Sequence, residues 1–145
     1  MATTPAIPNK NVQLRKYPLK SAQTTVLGDI VYLDTNGDVL ICGADPATAL
    51  GFQMHDYNGN LDVDIYDDEV IVACAYPGST FWLEGTSDPV QAYEGISYGV
   101  VVTSGAVQVD ITDTSNLVFV VERVDTTRNL YEVSVLAAVA QLQGG

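Results

Sequence analysis

The sequence has few of the residues on which enzyme active sites depend. Its 145 residues include one histidine, two cysteines and one tryptophan. His55 alone cannot supply the several imidazoles of a cupin-type metal site, and no Gly-x-Ser-x-Gly turn accompanies it for nucleophilic catalysis. A phosphate-binding glycine loop and a dinucleotide-binding motif are also absent. The sequence therefore predicts no enzyme activity and no catalytic residue.

Long apolar runs are absent as well. The longest covers residues 70–76, far short of the roughly 18 residues needed to span a bilayer. The first residues lack the charged end and apolar stretch of a signal peptide. We therefore expect that the protein does not contact a membrane and that it folds in a cytoplasm. Cys42 and Cys74 lie in apolar, strand-like runs, which favours buried free thiols over a disulfide.

Basic residues are scarce and unevenly placed. Only six of the 145 residues are Lys or Arg, against 18 Asp or Glu, and the net charge is −12. Four of the six are Lys10, Arg15, Lys16 and Lys20, and the first 20 residues contain no acidic side chain. That segment carries +4, which leaves −16 for residues 21–145. Nucleic acid is an unfavourable partner for such an acidic body, because phosphates are repelled over most of its surface.

The basic segment is expected to be an extended arm. Pro5, Pro8 and Pro18 oppose a regular helix and a central strand, and no amphipathic period is visible. The sequence thus divides into a basic N-terminal arm, residues 1–20, and one domain, residues 21–145, expected to fold without it. We predict that the arm binds a partner protein through the following residues: Lys10, Val12, Leu14, Arg15, Lys16, Tyr17, Leu19 and Lys20.

The rest of the chain is typical of an all-β domain. Asn36-Gly37 between apolar runs predicts a hairpin, and two more hairpins are predicted at 100–111 and 117–135. Alternation of apolar and acidic residues over 61–66 predicts a half-exposed strand, and the apolar run 70–75 a central one. Short helical turns are predicted at 45–50, with Asp45 as N-cap, and at 88–93; the tail 136–142 fits helix or strand. The expected fold is a small β-barrel or a β-tulip-like sandwich.

Metal and cofactor sites are not predicted. The runs 34–38 and 56–62 place oxygen ligands two residues apart, as in the first half of an EF-hand loop. Both runs lack the glutamate that closes an EF-hand loop, and an Asn-Gly hairpin turn explains the same residues. Calcium binding by these runs remains an alternative. The acidic pairs such as Asp62 and Asp64 are explained as a solvated strand face rather than as glycosidase carboxylates.

Aromatic residues leave a second class of function open. Trp82 and several of the eight tyrosines, including Tyr76, Tyr93 and Tyr98, lie near turns. They fit a carbohydrate platform or a protein contact, and equally the capped ends of a β-sheet core. The alternative function is therefore a carbohydrate-binding or adhesion module.

Several runs together resemble small head proteins of tailed bacteriophages. The runs are residues 28–34, 37–39, 44–52, 72–81 and 116–121. They follow the layout of a GDxVxLD hairpin, a DP.T.LG turn, an A.PGT.F strand and a late apolar hairpin. The resemblance implies a capsid decoration, or cement, protein: a structural β-rich module of the virion.

The resemblance also implies a location on the virion and a binding partner. Such a protein binds the lattice of the major capsid protein on the exterior of an assembled head, stabilises that lattice, and often forms a homotrimer. It assembles in the host cytoplasm and needs no cofactor, nucleic acid or membrane. The resemblance implies no particular contact residue, and the arm is expected to contact the capsid because of its charge and extended character.

Overall fold

Short antiparallel strands make up nearly all of the regular structure. The computed structural model describes residues 5–20, 24–58, 69–103 and 106–142. Numbered in chain order, the strands are β1 (Ile7–Pro8), β2 (Gln13–Pro18), β3 (Thr24–Thr25), β4 (Ile30–Leu33), β5 (Val39–Ile41), β6 (Gly51–Gln53), β7 (Tyr57–Asn58), β8 (Glu69–Cys74), β9 (Thr80–Leu83), β10 (Ser97–Val101), β11 (Gln108–Asp110), β12 (Phe119–Asp125) and β13 (Leu130–Val135).

The strands form two main antiparallel sheets packed as a sandwich. One has the order β1-β9-β13-β12-β10-β11 and the other the order β2-β8-β6-β4-β5, while β3 and β7 form a separate pair. The all-β prediction is confirmed. Of the two expected forms the sandwich is the one observed, because the hydrogen-bonded ladders of the described strands do not close into a barrel.

The main core lies between the two sheets. Alternate residues of the six-stranded sheet point into it, including Phe81, Phe119 and Val133, and Phe52 projects from the facing sheet. The Phe52 ring centroid lies 4.8 Å from that of Phe81 and 6.4 Å from that of Phe119. Such aromatic pairs bury large apolar area and prefer tilted or offset geometry, so they hold the sheets together.

A second, smaller core covers the other face of the five-stranded sheet. It consists of Leu19, Val31, Val39, Leu50, Val70, Val72 and Cys74. Strand β8 contributes to both cores, because its successive side chains alternate between them. The prediction that 70–75 is a central, doubly covered strand is therefore confirmed.

The strands of all three predicted hairpins pair with each other, although residues 104 and 105, in the turn of the second, lie outside the described residues. Strands β4 and β5 pair around Asn36-Gly37, where Gly37 has φ of +82°, a conformation that glycine adopts without steric cost. Strands β10 and β11 pair with each other, as do β12 and β13. The predicted strand at 61–66 lies outside the described residues.

The predictions of helical turns were less accurate than those of the hairpins. Residues 45–50 contain bends at Asp45 and Ala47 and an isolated bridge at Ala49 rather than a helical turn. Asp45 has φ of +53°, which a helix N-cap does not adopt. The second turn is a 3-10 helix over Gln91–Tyr93, capped by Val90 without a side-chain hydrogen bond. The tail is a turn followed by a single bridge between Ala140 and Ala49. In the described ranges no helix is long and apolar enough to cross a membrane.

Candidate partner-binding surfaces

The described part of the N-terminal segment, residues 5–20, runs along the edges of both sheets. Strand β1 pairs with β9 at the edge of the six-stranded sheet, and β2 pairs with β8 at the edge of the five-stranded sheet. The chain crosses between the sheets at residues 9–12, where Asn11 has φ of +54°. The described residues of the segment are hydrogen-bonded to the rest of the domain.

A carboxylate on the outer face of the six-stranded sheet binds the N-terminal segment where the chain crosses from one sheet to the other. Glu132 is only 1% exposed. Its Oε2 accepts hydrogen bonds from Asn9 Nδ2 at 2.5 Å and from Thr80 Oγ1 at 2.9 Å, and Lys10 Nζ lies 4.0 Å away. Its Oε1 accepts from Arg123 Nε at 2.6 Å. Two residues of the segment therefore meet one buried anion of the domain.

The environment of Glu132 favours its charged form. Burial disfavours ionisation, but the hydrogen bonds from Arg123 and Thr80 and the charges of Arg123 and Lys10 outweigh it, so the pKa of this carboxyl lies below its usual range. A buried carboxylate is stable only with such partners. We infer that Glu132 remains ionised at neutral pH and accepts the hydrogen bond from Asn9 in its charged form.

Five of the eight predicted contact residues turn toward the domain. Lys10 lies beside Glu132, as described above, and Lys20 Nζ lies 3.6 Å from Asp34 Oδ2. The other three have apolar contacts: Val12 packs against the main core, and Tyr17 and Leu19 join the smaller core. Burial, followed by the neighbouring Cys74, raises the pKa of Tyr17 to about 12.

Leu14, Arg15 and Lys16 remain on the surface of β2. The Leu14 side chain is 63% exposed, the largest exposure among the large apolar residues described. Arg15 Nη1 donates to Tyr76 Oη at 2.8 Å, which orients the guanidinium without burying it, and Lys16 is exposed. These three residues are called the β2 surface below. The Lys10 side chain is also 60% exposed, but it lies beside Glu132.

A second cationic surface was missed from the sequence. Ile7, Trp82, Glu132 and Arg123 lie side by side on four adjacent strands of the six-stranded sheet, on the face opposite the main core. The Arg123 guanidinium carbon lies 5.6 Å from the Trp82 ring centroid, and that of Arg128 lies 4.9 Å from it. Both distances are within the range of cation–π attraction.

A β-bulge places Arg123 on this face. Phe119 and Val121 point into the core, so strict alternation would send Arg123 inward too. The register of β12 against β13 shifts between Val121 and Arg123, and the inserted residue, Glu122, reverses the alternation. A charged residue two positions after a core valine was the one available signal for this bulge.

The two cysteines and the single histidine have structural surroundings. Cys42 and Cys74 are buried free thiols. Burial raises the pKa of Cys42 to about 12 and also raises that of Cys74. His55 Nε2 accepts from the backbone N–H of Ile71 at 3.0 Å, so its Nδ1 carries the proton and donates to the Asp56 carbonyl. These contacts occupy both imidazole nitrogens.

The first possible calcium loop has a hairpin explanation. Asp34 Oδ1 accepts from the backbone N–H groups of Asn36 and Asp38 at 2.8 and 2.9 Å. The bond from Asp38 is the main cause that lowers the pKa of Asp34. Among the described residues no cluster of three or more metal-ligating side chains occurs. Residues 59–62 of the second loop lie outside the described ranges.

An open cavity of about 270 Å³ lies at the loop that follows β5 and is lined by Tyr32 and residues 42–48. Its polar lining is limited to a few groups, and its shape follows from the bends that replace the predicted helical turn. We assign it no ligand.

Comparison with known proteins provides no independent identification. No protein-family model and no curated protein matches the chain.

Proposed function

We propose that this protein is a structural decoration, or cement, protein of a phage head. It binds the lattice of the major capsid protein on the outside of the assembled particle, through the β2 surface. The proposal rests on the head-protein resemblance in the sequence and on one structural observation. Leu14, Arg15 and Lys16 are exposed on the edge strand of the five-stranded sheet, with Leu14 and Lys16 on one face and Arg15 on the other.

The charge distribution supports this choice of surface. The chain as a whole carries −12, so an edge strand with two successive cations directly after an exposed leucine differs from the rest of the chain. Charges around an apolar contact set orientation and association rate, while the buried apolar group supplies most of the affinity. An acidic surface with an apolar recess is the matching partner.

The proposed mechanism is stabilisation by mass action. A ligand that binds the assembled lattice and not its free subunits shifts the equilibrium toward assembly. If the module is a homotrimer, modest affinity at each site is enough to stabilise the lattice, because binding at one site raises the effective concentration at the linked sites. The trimer, like the exterior location, belongs to the proposal.

Attachment to undecorated heads of the phage is the direct test. We expect the wild-type protein to co-sediment with them at a saturable stoichiometry and to raise their melting temperature. The double variant Leu14→Glu, Lys16→Glu is expected to bind at least about tenfold more weakly, a loss of roughly 1.4 kcal/mol.

Val90→Glu is the control for the Leu14→Glu change, because it also places one negative charge on an exposed apolar residue. Val90 is 47% exposed and lies beside the 3-10 helix, away from β2, so this variant adds a negative charge elsewhere and is expected to bind normally. Absence of wild-type attachment would refute the function. Equal attachment of the double variant would refute the choice of surface alone.

The carbohydrate-binding alternative is less well supported. A sugar stacks on an open aromatic face, whereas the Trp82 ring has two guanidinium groups within cation–π distance. Glycan binding that Trp82→Ala abolishes would favour the alternative.

A further inference from the structure

We propose that Trp82, Arg123 and Arg128 form a binding site for an acidic segment of a partner protein, separate from the β2 surface. Below, these three residues are called the Trp–Arg site. They lie on the outer face of the six-stranded sheet, whereas β2 belongs to the other sheet. The proposal does not depend on attachment to a capsid.

The two guanidinium groups are held in place. Arg123 Nε donates to Glu132 Oε1 at 2.6 Å, and Arg128 Nε donates to Asp125 Oδ2 at 2.7 Å. Both groups also contact the Trp82 ring. Arginine held in this way loses little side-chain freedom when a ligand binds, which favours affinity.

The turn between β12 and β13 supports Arg128. Asp125 Oδ1 accepts from the backbone N–H groups of Thr127 and Arg128, each at 3.0 Å, while its other oxygen holds the Arg128 side chain. Asn129 closes the turn with φ of +57°. One carboxylate therefore orients both the turn and the guanidinium that extends from it.

The ends of both guanidinium groups are available for a ligand. Within the described part of the chain, the Nη atoms of Arg123 and Arg128 make no hydrogen bond. Their side chains are 56% and 52% exposed. Paired Nη donors match the two oxygens of a carboxylate, so the chemistry points to Asp or Glu side chains of the ligand.

The surroundings favour a protein segment over an isolated anion. Trp and Arg are the residues most enriched among the dominant contacts of protein interfaces. Ile7 lies next to Trp82 on β1 and is 39% exposed, so an apolar contact adjoins the cations. Glu132 and Asp125 balance the charges of the two arginines, and a ligand therefore needs apolar contacts as well as hydrogen bonds to the Nη atoms.

The chain's single tryptophan lies in the site, so its fluorescence reports binding directly. We would titrate the full-length protein with two synthetic hexapeptides, Glu-Glu-Leu-Glu-Glu-Leu and the uncharged Gln-Gln-Leu-Gln-Gln-Leu. The acidic peptide is expected to change the emission of Trp82 saturably, with weaker binding at higher salt. The uncharged peptide is expected to bind at least about tenfold more weakly, because the charge-assisted hydrogen bonds are lost.

Variants separate a specific site from general charge attraction. Arg128→Gln is expected to weaken binding of the acidic peptide about tenfold. Lys20→Gln removes the same charge beside Asp34 on the other sheet, and is expected to change binding less than about twofold. Circular dichroism and melting of both variants would establish that they remain folded.

Three results would overturn the proposal. The first is no emission change with the acidic peptide at millimolar concentration. The second is equal weakening by Arg128→Gln and Lys20→Gln, which would indicate attraction by net charge alone. The third is saturable binding of oligogalacturonate without binding of the peptide, which would assign the site to an acidic glycan. Each can be obtained without heads, so the proposed function is tested separately.

Discussion

Replacement of Glu132 by Gln tests how the N-terminal segment is fastened to the domain. The side chain keeps its shape and loses its charge, and one of its two accepting oxygens becomes an NH2 donor. Either Arg123 or Asn9 therefore loses its acceptor, and the remaining hydrogen bond loses its charge assistance. Hydrogen bonds to charged groups contribute about 1.5–3 kcal/mol each. Arg123 is half exposed, which reduces its share, and we expect Glu132→Gln to lower the free energy of unfolding by ~2–3 kcal/mol at pH 7.

Thermal and urea denaturation measure this loss. For a domain of this size 1 kcal/mol corresponds to about 3 °C, so the melting temperature should fall by roughly 6–9 °C. Glu122→Gln is the matched control, because Glu122 lies on the same face and accepts one bond, from Ser134 Oγ. It is exposed, and we expect it to cost no more than about 0.5 kcal/mol.

The effect should depend on pH in a known direction. The pKa of Glu132 is lower in the folded state than in the unfolded chain, so its contribution is fully present above the unfolded value of about 4.3. It is lost as the pH falls through the folded pKa, where wild type and Glu132→Gln should converge. Equal stability of the two proteins at pH 7 would refute the reasoning.

A double-mutant cycle shows whether Asn9 acts through Glu132. Asn9→Ala should cost about 1 kcal/mol in the wild type and close to nothing in Glu132→Gln, since its partner is already altered. Additive losses would mean that the hydrogen bond between them contributes nothing to holding the segment.

Three further predictions concern other parts of the fold. Deletion of residues 1–20 should lower stability by several kcal/mol rather than leave the domain intact, because it removes an edge strand from each sheet and the buried Leu19; an unchanged melting curve would contradict this. Gly51→Ala should prevent folding or destabilise strongly, since a Cβ there would lie 2.0 Å from the Ala73 carbonyl oxygen, whereas Gly43→Ala, with open space around it, should be tolerated. Iodoacetamide at pH 8 should leave Cys42 unmodified in the folded protein, since burial raises its pKa to about 12; mass spectrometry detects the adduct, and urea-unfolded protein is the positive control.

Local sequence patterns were sufficient for the hairpins and the fold class. Asn36-Gly37 predicted its turn because few residues other than Gly adopt its φ without strain. The run 70–75 predicted a central strand because every residue in it is apolar. The helical turn at 45–50 was predicted wrongly, since an Asp-Pro pair suits both a helix start and the bends that the loop adopts.

The candidate surfaces depended on contacts between distant residues. The eight residues predicted in the N-terminal segment look equivalent in the sequence, but pairing of β2 with β8 leaves Leu14 exposed, while Leu19 is buried where it bridges to Val39. Pairing partners lie about 60 residues apart along the chain, and no local pattern encodes them.

The sequence by itself determined that this is an acidic, β-rich domain with a basic N-terminal segment. Composition and short-range backbone preferences decide those features. The tertiary structure decided that the segment forms two edge strands, that Glu132 is buried beneath it, and that a bulge brings Arg123 beside Trp82. Sheet register sets all three, because a shift of one residue moves a side chain to the opposite face.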